Sequence, residues 1–230
     1  DLTDEEFANF RNVATTGMGK NLLYRGSSPI NPQLGRSGYA DAALKKAGVT
    51  VIMNLADSEA DAKAYAGFAD TYYAGQKVIY LNLGVDFTAP EFQAGLADGL
   101  RFFAANKGVY YVHCTEGKDR AGFVSALLEC LMGATYDEVV ADYMTTYVNY
   151  YHLEEGGEQY EAVKNSNIVS ILTNITGAAE GTDLTTVDLA AAAEDYMLDA
   201  GLTADEVTAL KANLAKDYTV ETEAPAEETP

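Results

Sequence analysis

The chain reads as an α/β protein with a mostly parallel central sheet flanked by helices, continuing into a helical C-terminal half. Three observations predict this class. Runs rich in β-branched and aromatic residues alternate with helical patterns through the first half. Three of those runs are almost continuously apolar, as strands covered on both faces must be. Beyond residue 120 the periodicity is helical throughout.

The strand runs are 22–25, 49–55, 77–83 and 108–113, with helical patterns between them at about 37–47, 59–74 and 90–106. Further helices are expected at 120–132, 136–152, 158–176, 186–199 and 204–216, with Gly156-Gly157 as a breaker. Thr3 with Glu6, Thr135 with Glu138, and Thr203 with Glu206 have the capping-box spacing that starts a helix. The expected organisation is one unit over 1–220. It has a sheet core at about 10–134, a helical lid or insert with C-terminal helices at about 135–217, and an acidic flexible tail at 221–230.

Composition narrows the function classes. A net charge of −20 argues against nucleic acid and anionic membrane as partners, because both demand cationic patches. No apolar run reaches the length of a membrane span. The two cysteines, Cys114 and Cys130, are too few for a disulfide framework, and Cys130 falls in an apolar helical run as a small buried hydrophobe. The chain has no initiator Met and no signal-like segment, so it begins at a processing or cloning boundary. The acidic tail and missing Met favour an exported protein over a cytoplasmic one.

Residues 113 to 122, His-Cys-Thr-Glu-Gly-Lys-Asp-Arg-Ala-Gly, carry the chemistry. A strand ends at His113, a loop runs from Cys114, and a helix begins near Arg120. Backbone N–H groups at a helix start lack partners, and the helix dipole adds positive potential there. A loop wrapped at that point, through Thr115, Glu116, Gly117 and Lys118, presents several N–H groups to one tetrahedral anion. Gly117 supplies the backbone freedom such a cradle requires. Cys114 stands where a helix N-terminus and a guanidinium favour thiolate, and Arg120 has the fork that binds two phosphoryl oxygens. A nucleotide-binding loop is excluded because Val112 stands where its upstream Gly is required. A zinc site is excluded because His113 and Cys114 are adjacent and no other Cys/His cluster exists. No metal or cofactor is called for.

The pattern H-C-x-x-x-x-x-R-x-G on a strand–loop–helix resembles the cysteine-based protein tyrosine and dual-specificity phosphatase superfamily. With Gly117-Lys118-Asp119-Arg120, Asn9-Phe-Arg-Asn12, Leu23-Tyr-Arg-Gly-Ser-Ser28 and Val51-Ile-Met-Asn-Leu-Ala-Asp-Ser-Glu59, it is similar to bacterial tyrosine phosphatases with lipid-phosphatase side activity. The helix carrying Asp142-Tyr143 also fits, so the resemblance spans about residues 9–150. It implies a metal-independent phosphomonoesterase acting on phosphotyrosine, and on phosphoserine/threonine or phosphoinositides, with a phosphorylated protein or a small phosphomonoester as partner. Cys114 and Arg120 then attack and bind the phosphate, Asp119 transfers protons, and Lys118 touches a second phosphate. His113 and Gly122 frame the loop, and Arg25 adds charge near its mouth.

Two departures accompany the resemblance. Ala121 replaces the usual Ser or Thr whose hydroxyl helps the thiolate leave, which predicts a slower second step. Glu116 occupies a position that is commonly small and neutral. Together they keep open an alternative, a phosphate-recognising module with little turnover. The general acid also has alternatives: Asp119 first, then Asp86, which lies 28 residues before Cys114 in a loop after a strand, then Asp57. The tyrosines at 143, 147, 150 and 151 read as core packing first and as a lid over an aromatic phosphate second. His152 reads as a helix-end residue.

Overall fold

Five strands form one sheet in a computed structural model that describes residues 1–216. The acidic stretch expected at 221–230 lies outside the described residues. Strand β1 (Arg11–Asn12) runs antiparallel to β2 (Leu23–Gly26). β2 lies parallel to β5 (Tyr110–His113), β5 to β3 (Val51–Asn54), and β3 to β4 (Lys77–Tyr80), giving the order β1-β2-β5-β3-β4. The expected mostly parallel sheet is therefore present, with one short antiparallel edge strand. β5 sits in the middle, and its register pairs His113 with Gly26 on one side and Asn54 on the other.

Strand alternation sends side chains to two cores. On one face Leu23, Val51, Met53, Tyr110 and Val112 join a large apolar cluster, and on the other Tyr24, Ile52 and Tyr111 join a smaller one. Helices α1 (Asp4–Phe7), α2 (Ser37–Ala47) and α3 (Glu59–Ala64) belong to the smaller side, through Ala8, Ala40, Leu44 and Ala62. Helix α4 (Pro90–Ala105) and all the helices after β5 build on the larger one. These are α5 (Arg120–Met132), α6 (Tyr136–Tyr151), α7 (Glu158–Ser166), α8 (Ile168–Thr176), α9 (Leu189–Ala200) and α10 (Ala204–Leu214). α10 packs on α4 and α9 on α5, while α6 and α8 also meet α5. Every residue of α5 from Ala121 to Leu131 is buried, so the helix that follows the cysteine loop is enclosed along its length. All three expected capping boxes form, at Thr3, Thr135 and Thr203.

Two expected helices are broken. The 59–74 pattern yields α3 and then two short 3-10 turns, because Tyr65 is extended and Gly67 takes φ 77°. The 158–176 pattern divides at Asn167, whose backbone leaves helical values at φ −110° and ψ −79°. Its side-chain amide donates instead to Tyr147 Oη at 2.7 Å, so a tertiary bond holds the break. Among the described residues no helix is long and apolar enough to cross a membrane.

Candidate active site

The loop joining β5 to α5 is held from outside, and this determines which way its backbone points. The carbonyl of Thr115 accepts from Ser28 N–H at 3.0 Å. The carbonyl of Gly117 accepts from Arg25 Nη2 at 2.8 Å and from Asn9 Nδ2 at 3.1 Å, and that same amide reaches the Glu116 carbonyl at 3.4 Å. None of the N–H groups from Thr115 to Asp119 donates to another backbone carbonyl. Outward carbonyls and free N–H groups make a nest with anion-binding character. Gly117 is required here: its φ is +74°, and a β-carbon on it would run into the backbone of Gly26. Cys114, 3 % exposed and a free thiol, begins the loop. Arg120 ends it, with Nη1 on the Leu83 carbonyl at 2.9 Å and Nη2 3.4 Å from Thr115 Oγ1. Behind it, Ala121 is fully buried, and a β-carbon on Gly122 would collide with the Tyr143 ring.

Beneath the loop lies a buried group of charges. Arg25 is fully buried, and its Nη1 meets Asp142 Oδ2 at 3.0 Å. Arg11 Nε meets the other oxygen, Oδ1, at 2.8 Å, and its Nη2 reaches the Asp142 carbonyl at 2.6 Å. Asn9 Oδ1 accepts from Arg11 Nη1 at 2.7 Å and from Thr146 Oγ1 at 3.0 Å. Glu129, on the buried face of α5, is the fourth member. Burial, and then the charge of Asp142, push its carboxyl well above the ordinary range, which favours its neutral form. Asp142 goes the other way: the two guanidiniums outweigh its desolvation and hold it below the usual carboxylate range. Two cations, one anion and one neutral acid leave a net positive charge under the nest.

Arg25 therefore does not lie at the mouth, where the sequence led us to expect it. Its guanidinium is spent on Asp142 and the Gly117 carbonyl, and it positions the loop from behind. Arg11 and Asn9 had no assigned role, although both fall within a quoted stretch of the resemblance. Glu129 carried a signal of its own: it is the one acid inside the apolar run 121–132.

His113 is likewise internal. Burial lowers its pKa to about 4, so the ring is neutral. The Cys114 carbonyl, 2.9 Å from Nδ1, can only accept, which puts the proton on Nδ1 and leaves Nε2 to accept from Tyr73 Oη at 2.8 Å. Tyr73 Oη accepts in turn from Asn54 Nδ2 at 3.1 Å. Asn54 also donates to Asp57 Oδ2 at 3.1 Å, while Tyr65 Oη donates to Oδ1 at 2.8 Å. Asp57 thus anchors a chain of bonds that ends at the cysteine's own carbonyl, with both of its oxygens occupied.

The other two candidate acids are arranged differently. Asp86 is exposed, and its Oδ1 accepts from both the Oγ1 and N–H of Thr88, which lowers its pKa. This is the geometry of a turn cap before α4. Asp119, at the N-cap of α5, makes no capping bond and lines a cleft of about 520 Å³. Across the cleft stand Phe87 and Thr88 of the loop before α4, Tyr143 of α6, and Asn167 and Ile171 at the α7–α8 break. Tyr143 and Tyr147 are buried and stack at 5.8 Å between centroids, and Tyr151, half exposed, continues the stack at 5.5 Å. Tyr150 belongs elsewhere, donating to the Phe7 carbonyl at 3.0 Å. His152 caps α6 with φ 51°. Lys118 rests against Tyr151 and Glu116.

A buried, positively seated nest between a parallel strand and a helix, with a thiol at its start and a guanidinium at its end, defines a class of phosphate-handling hydrolases. The profile of the tyrosine phosphatase family matches residues 5–216, nearly the whole chain, and the protein belongs to that family. It is a phosphatase acting on a phosphorylated substrate. No individual curated protein matches the chain significantly.

Replacing Asp142 by Asn removes the carboxylate that Arg11 and Arg25 share, and the expected loss is about 3–5 kcal/mol of unfolding free energy. Urea denaturation checks it, and a loss under about 1 kcal/mol would refute the charge count given for this group. His113 gives the fold a pH dependence. Because its folded pKa of about 4 lies below the ordinary 6.5, the unfolded chain takes the proton first. Stability is full above about pH 6.5 and falls towards pH 4, by roughly 3 kcal/mol in all. Denaturation curves of the protein and of His113→Gln should diverge in slope across that window; parallel slopes would rule the histidine out as the cause.

Proposed function

We propose that the protein is a phosphomonoesterase that works through a cysteinyl-phosphate, with phosphotyrosine as its preferred kind of substrate. The observation that carries this reading is the nest itself: outward carbonyls, free N–H groups, Cys114 at one end and Arg120 at the other. A phosphoryl group seated on those N–H groups places phosphorus against the Cys114 sulfur. Arg120 adds charge-assisted donors as negative charge builds on the equatorial oxygens.

In the first step an S–P bond forms as the bond from phosphorus to the ester oxygen breaks. Asp119 gives its proton to the departing oxygen. Asp119 suits this role better than Asp86 or Asp57, because it stands beside the phosphate loop and lines the cleft, whereas Asp86 caps a turn and Asp57 has both oxygens engaged. In the second step a water oxygen bonds to phosphorus while Asp119 takes the water's proton. The S–P bond breaks and the thiolate returns. The cleft accepts an aryl leaving group against Phe87, Tyr143 and Ile171. No step calls for a metal.

The buried Ala121 favours a second reading, a module that binds phosphate and turns over slowly. Without a hydroxyl at this position nothing on the side chain donates to the departing sulfur, so the phosphoenzyme should accumulate.

Three experiments test these readings. Hydrolysis of aryl phosphates, unaffected by chelator, should vanish in Cys114→Ser. Asp119→Asn should slow esters of poor leaving groups at least about tenfold more than those of good ones; equal slowing would remove Asp119 as the acid. Ala121→Ser should shrink a pre-steady-state burst of released phenol and raise the steady rate severalfold. An unaltered burst would show that Ala121 does not limit turnover.

A further inference from the structure

We propose that Glu116 makes the site select singly phosphorylated substrates, by holding Lys118 away from any second phosphate. The inference rests on the phosphomonoesterase reading and names a residue that decides its substrate class. A lysine in this loop position has the reach and charge to meet a second phosphoryl group beside the one in the nest. Here that charge is already engaged. The Lys118 ammonium lies 3.3 Å from Glu116 Oε2 and donates to Tyr151 Oη at 3.2 Å. It also sits over the rings of Tyr147 and Tyr151, at 5.8 and 5.5 Å from their centroids. Only 19 % of the lysine side chain is exposed.

The surroundings offer no replacement. Arg11 and Arg25 are locked to Asp142 beneath the loop, and Arg36 lies over the Tyr150 ring at 4.0 Å and the Phe7 ring at 5.1 Å. Asp119, whose charge also acts on Lys118, is the cleft's single charged residue. The rest of its polar wall is neutral, with Thr88, Ser166, Asn167, Ser170 and Asn174. A second phosphate would therefore meet the carboxylates of Glu116 and Asp119 at the loop, in a chain that carries −20 overall. A phenol, with no charge of its own, meets none of these obstacles. Selection here works by repulsion and by a pre-engaged cation, and requires no added attraction for the favoured substrate.

Calorimetric titration reads this apart from turnover. In a Cys114→Ser background, affinities for phenyl phosphate and for a myo-inositol bisphosphate are measured with and without Glu116→Gln. The bisphosphate-to-monophosphate affinity ratio should rise about fivefold with Glu116→Gln, the scale of one partly exposed ion pair. Adding Lys118→Met should cancel the rise. An unchanged ratio, or a rise that survives Lys118→Met, overturns the proposal. So does a preference for the bisphosphate in the Glu116 protein, and if Arg36→Ala removes that preference, Arg36 is the true contact. Failure of the intact protein to hydrolyse phenyl phosphate would count against the catalytic reading alone, since the affinity ratio stays readable.

Discussion

Two guanidiniums share one carboxylate beneath the phosphate loop, and the geometry of the site depends on that arrangement. Arg11 comes from the edge strand, Arg25 from its neighbour and Asp142 from a helix more than a hundred residues later. Their meeting fixes the edge of the sheet against α6. It also leaves one arginine nitrogen free to grip the Gly117 carbonyl. A loop carbonyl turned towards a buried cation cannot turn towards the ligand, so the adjoining N–H groups face the nest. Buried pairs of this kind contribute little net stability against an apolar alternative, yet losing one partner is costly. What the arrangement secures is orientation.

The same group resolves the conflict between an acidic chain and an anionic ligand. Overall charge acts over distances at which salt screens it, whereas a buried charge a few ångströms from the ligand is screened far less. Neutralising Glu129 by burial leaves the local count at plus one, directly behind the nest. A phosphate seated in the nest therefore lies against positive charge although the chain as a whole is negative.

Much of this was legible in the sequence. The strand and helix runs were found to within a few residues because both-face burial leaves continuous apolar runs and capping boxes mark helix starts. The loop was legible because its motif is short, local and set between a strand and a helix. What escaped depends on long-range contact. Arg25 looked like a mouth residue, since sequence gives a side chain's charge but not the direction it points. The partnership of Arg11, Asn9 and Asp142 spans the chain, and nothing local foretells it. Asn167 breaks a helix by exchanging a local pattern for a bond to Tyr147, and Gly67 ends another by taking a left-handed backbone. Asp57, a candidate acid by type, proves to be a member of one internal chain of hydrogen bonds, and His113 in the same chain bonds the cysteine's backbone.

The complete enclosure of α5 has a consequence for how such a site changes over time. Its first turn is the rear wall of the nest, and its remaining turns are core, so the cradle cannot shift without disturbing the interior. The cleft's far wall is made otherwise: a turn carrying the exposed Val85, and a helix interrupted at Asn167. Exposed positions there, such as Val85, touch few buried neighbours, whereas Phe87 and Ile171 beside them pack on the core. The molecule thus separates a part that must remain constant from a part free to drift. New leaving groups can be explored along the rim while the chemistry at its centre stays as it is.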